Sequence, residues 1–354
     1  MADIIIDHVT KRFGTFTAVD DLDIRFSDGD VTCLLGPSGC GKTTLMRMIA
    51  GLETPSSGRI LFGERDVTQL PPRKRNIGMV FQYPVMYPTL SVAENIAQPL
   101  KHDRSLSRGE RERRVEEVLD LLDMRKQARA FIDDLDAGSR QKVAVGRSVA
   151  RQTDIVLFDE PTTNVEVNAK LQLIRTFKAV TQRLKQTIVY VTHDQTEAMT
   201  LADRIALMKD GSIVQYDAPR RLYNDPSTEF GGWFLGNPGM NFIAAERRGN
   251  QLHATILDSP LDVASDLGGG EIVLGIRPEN VLMHSEPGPG SVEGRVTEQT
   301  IGIAGRNLAR IAVGSAVIKV KADGPAPVAA DGTVQLSFPR DRILVFRNGA
   351  RVTL

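Results

Sequence analysis

Gly36, Pro37, Ser38, Gly39, Cys40, Gly41, Lys42, Thr43 and Thr44 bring three glycines, one lysine and three hydroxyls into one short stretch of the chain. The order fits G-x-x-x-x-G-K-[ST], in which glycines let successive backbone N–H groups curl around phosphates. An apolar run, Val31 to Leu35, precedes it and a helical pattern, Leu45 to Ala50, follows. Strand, glycine loop and helix together place a helix N-terminus at the phosphates, with Lys42 as a mobile cation and the Thr43 hydroxyl as a Mg²⁺ ligand. Two adjacent carboxylates, Asp159 and Glu160, end a second apolar run, Ile155 to Phe158. Unpaired charge at the end of a buried strand is costly, so this pair calls for a cation. The economical arrangement gives Asp159 the Mg²⁺ shell and Glu160 the water that attacks the terminal phosphate.

His193 ends a third apolar run, Thr187 to Val191, where a place at the carboxyl edge favours a ligand-facing role over a structural one. Gln82 directly follows the run Ile77 to Phe81; a neutral amide there can ligate Mg²⁺ or orient water, and is otherwise a surface side chain. Phe13 stays open between a core position and an exposed ring on which adenine stacks.

These groups need a scaffold, and the chain punctuates one. Ile4 to Thr10 and Leu22 to Phe26 read as strands, with a turn at Ser27-Asp28-Gly29-Asp30 before the strand that enters the glycine loop. Arg59 to Phe62 is another strand. From Val92 to Lys126 the pattern is helical, and Ser107 with Glu110 has the spacing of a capping box for a helix through Leu122. A further helix starts near Gly138 and runs through Val149, and another spans Glu166 to Lys185. Asp194 and Glu197 are expected to cap the helix after His193. Arg204 to Met208 and Ser212 to Tyr216 form a hairpin across Lys209-Asp210-Gly211. Beyond Trp233 the composition changes. Gly236-Asn237-Pro238-Gly239 is linker-like, and short β runs follow at Ile272 to Ile276, Val292 to Ile301, Asn307 to Val313, Val317 to Val320, Val334 to Phe338 and Ile343 to Phe346. Regular short strands broken by glycine and proline suggest a small barrel or sandwich. The domain boundary is placed near residue 237.

Composition narrows the function classes. With 44 Lys+Arg against 44 Asp+Glu the formal charge is zero, which argues against non-specific nucleic-acid binding. Only Cys33 and Cys40 occur, so no disulfide framework is suggested and a reducing cytosol fits. The start of the chain lacks the apolar core of a signal peptide, and no run approaches a bilayer-spanning length, so work at a membrane requires docking onto a protein that spans it. Tyr83-Pro84-Val85-Met86-Tyr87-Pro88 loads a loop with apolar and aromatic side chains, a candidate partner contact.

Together these motifs make the chain resemble the ATP-binding subunit of ATP-binding-cassette (ABC) importers, in the carbohydrate, polyol and glycerol(-phosphate) branch typified by the maltose transporter ATPase. The resemblance runs over essentially the whole length. Gly36 to Thr44 resembles its Walker A loop, Phe13 its adenine-stacking position, Gln82 its Q-loop glutamine, Ile155 to Glu160 its Walker B strand and His193 its switch histidine. It implies an α/β P-loop NTPase core at 1–236 with a helical subdomain at about 84–152, and an all-β OB-like regulatory domain at 237–354, to which Gly275-Ile276-Arg277-Pro278-Glu279 and Gly236 to Phe242 correspond. It further implies ATP and Mg²⁺ as cofactors, permease subunits as partners and an extracytoplasmic solute-binding protein as an indirect one. The place of work is the cytoplasmic face of the cell membrane, without nucleic acid.

The family acts as a dimer in which each nucleotide lies between one subunit's Walker A loop and the other's signature segment, usually Leu-Ser-Gly-Gly-Gln. Here that segment reads Leu135-Asp136-Ala137-Gly138-Ser139. An aspartate stands where the serine hydroxyl would donate to the γ-phosphate. Two negative charges about 4 Å apart repel by about 4 kcal/mol at an effective dielectric near 20. As a helix N-cap, however, Asp136 is as good as serine. Nearby, Lys142 replaces an arginine, Gly146 costs about 1 kcal/mol relative to alanine in a helix, and Glu166 replaces the D-loop aspartate. The expectation is a heterodimer with a second, intact ATPase subunit, in which Asp136 and Gly138 line a degenerate site. The alternatives are a mainly regulatory, weakly hydrolytic subunit and, less favoured, a soluble non-transport ATPase acting on nucleic acid or translation, a reading that wants tandem cassettes or long coiled-coil insertions.

Overall fold

Val31–Leu35 is buried at every residue, and such a run can only be a central strand with a layer on each face. In the computed structural model, which describes residues 3–101, 103, 105–163, 165–184, 186–263, 269–301, 307–324, 326–329 and 331–353, the chain divides into two units, Met1–Arg220 and Arg221–Leu354. Gly236-Asn237-Pro238-Gly239 lies within the second unit.

The first unit runs β1 (Ile4–Phe13), β2 (Phe16–Phe26), β3 (Val31–Leu35), α1 (Lys42–Ala50), β4 (Ser57–Phe62), β5 (Arg65–Asp66), α2 (Pro72–Arg75), β6 (Ile77–Val80), α3 (Val92–Ala97), α4 (Arg108–Leu121) and α5 (Ala137–Ala150). It continues with β7 (Ile155–Asp159), α6 (Val167–Leu184), β8 (Thr187–Thr192), α7 (Gln195–Leu201), β9 (Arg204–Lys209) and β10 (Ser212–Asp217). One sheet has the order β10-β9-β3-β8-β7-β6, with β9, β3, β8, β7 and β6 parallel and β10 closing the edge as an antiparallel hairpin. The other is an antiparallel sheet ordered β2-β1-β4-β5. Leu45, Met46, Met48 and Ile49 of α1 are fully buried in the core that includes Ile4, Ile6 and Ile60 of the antiparallel sheet and Leu34, Leu157, Val189 and Met208 of the parallel one. Each such side chain contributes about 1.5–3 kcal/mol by leaving water, so α1 is held rigidly by its own stripe.

The end of α1 is held by a residue the sequence did not advertise. Arg75, 3% exposed, donates to the carbonyls of Met48 and Ile49 at 2.7 and 2.9 Å and also to Leu70 and Thr68. The Met48 and Ile49 carbonyls lie in the last turn of α1, where Met48 also accepts the Gly51 N–H at 3.1 Å, and a cation there complements the helix dipole. Burial lowers the Arg75 guanidinium to about 10.

Helices α3, α4 and α5 carry the helical region. The expected capping box is present: Ser107 accepts from the Glu110 N–H, and Glu110 accepts from the Ser107 N–H. Ser91 and Glu94 repeat it on α3. Gly146, read from the sequence as a simple helix-propensity cost, is also closely packed by side chains. A Cβ there would lie 2.9 Å from Leu122 Cδ1 and 3.1 Å from Ile96 Cγ1.

The second unit begins within α8 (Pro219–Asn224) and continues with α9 (Glu229–Phe234), β11 (Asn241–Arg248), β12 (Gln251–His253), β13 (Leu261–Asp262), β14 (Ile272–Ile276), β15 (Leu282–His284), β16 (Ser291–Ile301), β17 (Asn307–Val313), β18 (Ala316–Ala322), β19 (Thr333–Ser337), β20 (Leu344–Arg347) and β21 (Ala350–Val352). Two antiparallel sheets, β13-β12-β11-β14-β20-β21 and β15-β19-β16-β17-β18, share one apolar core that includes Leu252, Leu274, Ile311 and Leu336. The first half of β11 (Asn241 to Ala245) pairs with β14 and its end (Glu246 to Arg248) with β12, so this strand, absent from the sequence reading, organises the larger sheet. Arg277, 3% exposed, donates to the carbonyls of Tyr223, Gly232 and Leu235 and stacks 3.9 Å from the Tyr223 ring.

Candidate nucleotide site

Parallel strands deliver their loops to one edge. Leu35 pairs with Thr192, Asp159 with Val191, and Val80 with Phe158, so the carboxyl ends of β3, β8, β7 and β6 stand in register. The glycine loop, His193, the Asp159–Glu160 pair and Gln82 leave those four ends in that order. Residues spread over more than 150 positions thus emerge at one edge of the sheet, the edge at which open α/β sheets take ligands.

The loop has the geometry its glycines imply. Gly39 and Gly41 have φ of 81° and 103°. A Cβ on Gly36 would stand 2.3 Å from the Met208 carbonyl, and one on Gly41 2.4 Å from that of Ala18. No side chain fits at either position. Lys42 curls back across the loop, its Nζ donating to the carbonyls of Gly36 and Pro37 at 2.8 Å each and lying 3.8 Å from Cys40 Sγ. Burial pushes the Cys40 thiol up. Pro37, Thr43 and Thr44 are half-buried, whereas Ser38 and Gly39 face solvent.

Glu160 has a left-handed backbone, φ 42°, which a non-glycine residue adopts only under constraint. Its N–H donates to the Val191 carbonyl at 3.0 Å, and its Oε2 accepts from Thr163 Oγ1 at 3.0 Å and lies 3.1 Å from His193 Nδ1. The carboxylate and the imidazole therefore face each other. Burial, followed by the neighbouring Glu160 charge, raises the Asp159 carboxyl above its ordinary value, although Arg47 and Lys42 draw it down. A cation would relieve that strain.

Phe13 ends the β1–β2 hairpin opposite Phe16, is 46% exposed, and carries Lys11 Nζ 4.8 Å from its ring centroid. It is not a core residue. Gln82 is half-buried just beyond β6. Asp136 and Gly138 stand at the start of α5, where Asp136 Oδ1 accepts from the Ser139 N–H at 2.7 Å and Oδ2 from Ser139 Oγ at 3.2 Å. The capping role expected of Asp136 is present.

One expectation needs correction. Asp194 caps α7, accepting from the N–H groups of Thr196 and Glu197, but Glu197 does not complete a capping box. The Asp194 N–H goes to Thr192 Oγ1 at 2.9 Å instead. Glu197 is 1% exposed and turns inward to Lys170, Tyr190 and Thr162. A carboxylate spaced for a cap and one spaced for a buried ion pair look alike until α6 packs beside α7.

A family model described as "ABC transporter" matches residues 19–163. A second, "MalK OB fold domain", matches residues 236–281. The sn-glycerol-3-phosphate import ATP-binding protein UgpC of Ruegeria pomeroyi is 40% identical over 299 residues, covering 84% of each chain. The chain belongs to the ABC transporter family. More closely, it is an ATP-binding subunit of the MalK/UgpC-like kind, an ABC ATPase core followed by an OB-fold β domain. The trehalose/maltose import ATP-binding protein MalK of Thermococcus litoralis is likewise 40% identical, over 295 residues and 79% of each chain. A solved dimeric bacterial ABC transporter cassette superposes with a TM-score of 0.54 at 27% identity, covering 61% of this chain and 99% of that one. ATP binding and hydrolysis coupled to transport follow from membership, as do permease partners. Among the described residues no helix is long and apolar enough to cross a membrane.

Proposed function

We propose that this subunit binds MgATP at the crevice above β3, β8, β7 and β6 and couples its hydrolysis to import of a sugar, polyol, glycerol or glycerol phosphate. The observation that carries the reading is the convergence of Lys42, Asp159, Glu160 and His193 on one sheet edge, with Glu160 Oε2 3.1 Å from His193 Nδ1. The glycine-loop N–H groups and Lys42 hold the phosphates, and Phe13 offers its open ring to adenine. Thr43, Asp159 and Gln82 are hard oxygen donors of the kind Mg²⁺ takes. Mg²⁺ is commonly held by one or two protein oxygens together with substrate phosphates. When bound, Mg²⁺ neutralises phosphate charge. Glu160 then orients and polarises the attacking water, and His193 holds the Glu160 carboxylate and faces the γ-phosphate. The solute class rests on relatives whose names specify sn-glycerol-3-phosphate and trehalose/maltose.

The functional boundary is placed at residue 237, one residue into the matched OB-fold segment. Residues 1–236 form the ATPase and 237–354 the regulatory and dimerisation domain. Tyr83, Val85 and Tyr87 are 71%, 79% and 46% exposed beside a cleft of about 250 Å³ lined by Phe81, Pro84, Pro99 and Arg147. That apolar rim receives the permease's cytoplasmic segments at the inner face of the membrane, with a solute-binding protein acting from the other side. Asp136 supports pairing with a second, intact ATP-binding subunit, so that one composite site is competent and the other, bearing Asp136 and Gly138, is degenerate. The same aspartate favours a second reading, a mainly regulatory and weakly hydrolytic subunit. Measuring ATPase activity of the permease complex with and without a second ATPase subunit tests both. Full turnover with this chain as the sole ATPase would refute the asymmetric pairing, and no dependence on this chain's Lys42 would refute the hydrolytic role.

A further inference from the structure

We propose that Lys170 and Glu197 are positioning residues for hydrolysis, forming one partly buried ion cluster, centred on the buried Glu197, that holds Glu160 and His193 in their facing geometry. The inference rests on the assignment of Glu160 and His193 to the hydrolytic step. Glu197 is 1% exposed, and its carboxylate is met by Lys170 Nζ at 2.8 Å, Tyr190 Oη at 3.0 Å and Thr162 Oγ1. Lys170 Nζ also reaches Asp194 Oδ2 at 2.7 Å. Burial alone would lower the Lys170 ammonium, but the Asp194 and Glu197 carboxylates outweigh it and keep the lysine charged.

Each member of the cluster sits beside a site residue. Thr162 follows Glu160 by two positions, Asp194 follows His193 directly, and Tyr190 lies in β8, which ends at the residue before His193. Lys170 stands in the first turn of α6, its N–H bonded to the Glu166 carbonyl at 2.8 Å, and so fixes the start of that helix next to the segment a partner nucleotide site would meet. One ammonium thus spans α6 and the α7 cap, and one carboxylate spans α6, β8 and the loop after Asp159. A buried ion pair contributes little to stability over an apolar pair of the same volume, because desolvation offsets the attraction. What it supplies is direction: each bond admits one distance and one angle, whereas apolar side chains in the same space can slide. A carboxylate–imidazole pair with a strained Glu160 backbone needs such constraint.

The test uses the assembled permease complex with all its ATPase subunits and compares Glu197→Gln, Lys170→Met, Lys170→Arg, His193→Ala and the double variant His193→Ala/Glu197→Gln. Misplacement of reacting groups on the order of 1 Å costs roughly a hundredfold, so E197Q and K170M are expected to lower kcat about ten- to a hundredfold with little change in KM for ATP. K170R, which keeps the charge and the reach, restores most of the rate. In the His193→Ala background, E197Q adds little further loss, because the geometry it protects is already gone. Equal fold-losses in both backgrounds, a KM rise matching the kcat loss, or K170R as damaging as K170M would each overturn the proposal. If E197Q or K170M fails to fold, Tyr190→Phe removes one bond to Glu197 within unchanged packing, and an unaltered kcat in that variant overturns it equally. Full activity in His193→Ala alone would refute the site assignment instead.

Discussion

Asp136→Ser tests the proposed asymmetric pairing by removing the one charge on which that proposal turns. In the free subunit the Asp136 carboxylate is engaged locally, with Oδ1 on the Ser139 N–H at 2.7 Å and Oδ2 on the Ser139 hydroxyl at 3.2 Å. Serine caps a helix as well as aspartate, so D136S leaves α5 intact and stability within about 0.5 kcal/mol. In the proposed pairing the same position faces a γ-phosphate when the dimer closes. Removing a negative charge about 4 Å away relieves about 4 kcal/mol at an effective dielectric near 20, and a restored hydroxyl donor adds about 1 kcal/mol. Countercharges reduce that sum, yet about 1.4 kcal/mol is already tenfold in an equilibrium. The expected result is at least a roughly tenfold gain in ATP-dependent dimerisation of this chain, read by size exclusion in a Glu160→Gln background, with a parallel rise in steady-state ATPase when it is the only ATPase on the permease. Asp136→Ala separates the two roles. It removes the charge but loses the cap, about 1 kcal/mol or about 2–4 °C in melting temperature, while still easing closure. If D136S and D136A both leave dimerisation and turnover at the wild-type level, repulsion by Asp136 is not what limits this half-site, and the case for asymmetric pairing fails.

Glu160→Gln should bind MgATP with near wild-type affinity but hydrolyse it at least about a hundredfold more slowly in the full complex; loss of nucleotide binding instead would show that Glu160 has a structural task. Gly146→Ala should give no gain in thermal stability, because the helix-propensity gain of about 1 kcal/mol meets overpacking of about 1–3 kcal/mol against Leu122 and Ile96, and a clear rise in melting temperature would contradict the packing. Arg277→Met should destabilise the C-terminal unit by at least about 3 kcal/mol, since several buried carbonyls lose a charged donor, and calorimetry should show that unit's transition moving down while the ATPase transition stays. Asp194→Asn tests linkage. Burial alone would raise the Asp194 carboxyl, but Lys170 and the helix N–H groups more than offset this and hold it below its ordinary 3.8. A depressed carboxylate contributes stability that is present above the unfolded value and lost as pH falls through the folded one. In urea unfolding, the variant should therefore be less stable than wild type at pH 7, with the gap closing well below pH 3.8; a gap that persists in acid would refute the ion-pair account.

The glycine loop, the Asp159–Glu160 pair and His193 stood out from residue type and spacing because the chemistry they suggest is local, and the fold brings all three to one sheet edge. The alternating and fully apolar runs announced most strands, since a strand buried on both faces has no polar position to offer. Long-range bonds were a different matter. Glu197 carries the spacing of a capping residue, yet it pairs with Lys170 from a helix whose approach no local pattern encodes. Arg75 reads as one more basic residue in Pro72–Arg75 but closes the end of α1, and β11 is recognisable only by the strands on either side of it. Gly146 shows the same limit from the other side: its propensity cost was visible, and the approach of Ile96 and Leu122 was not. By itself the sequence determined the nucleotide chemistry and the class of fold, because these follow from short-range stereochemistry and hydrophobic period. Only the tertiary structure decided which charges are buried, which carbonyls they satisfy and how Glu160 and His193 face one another, because those bonds join residues that separate elements bring together.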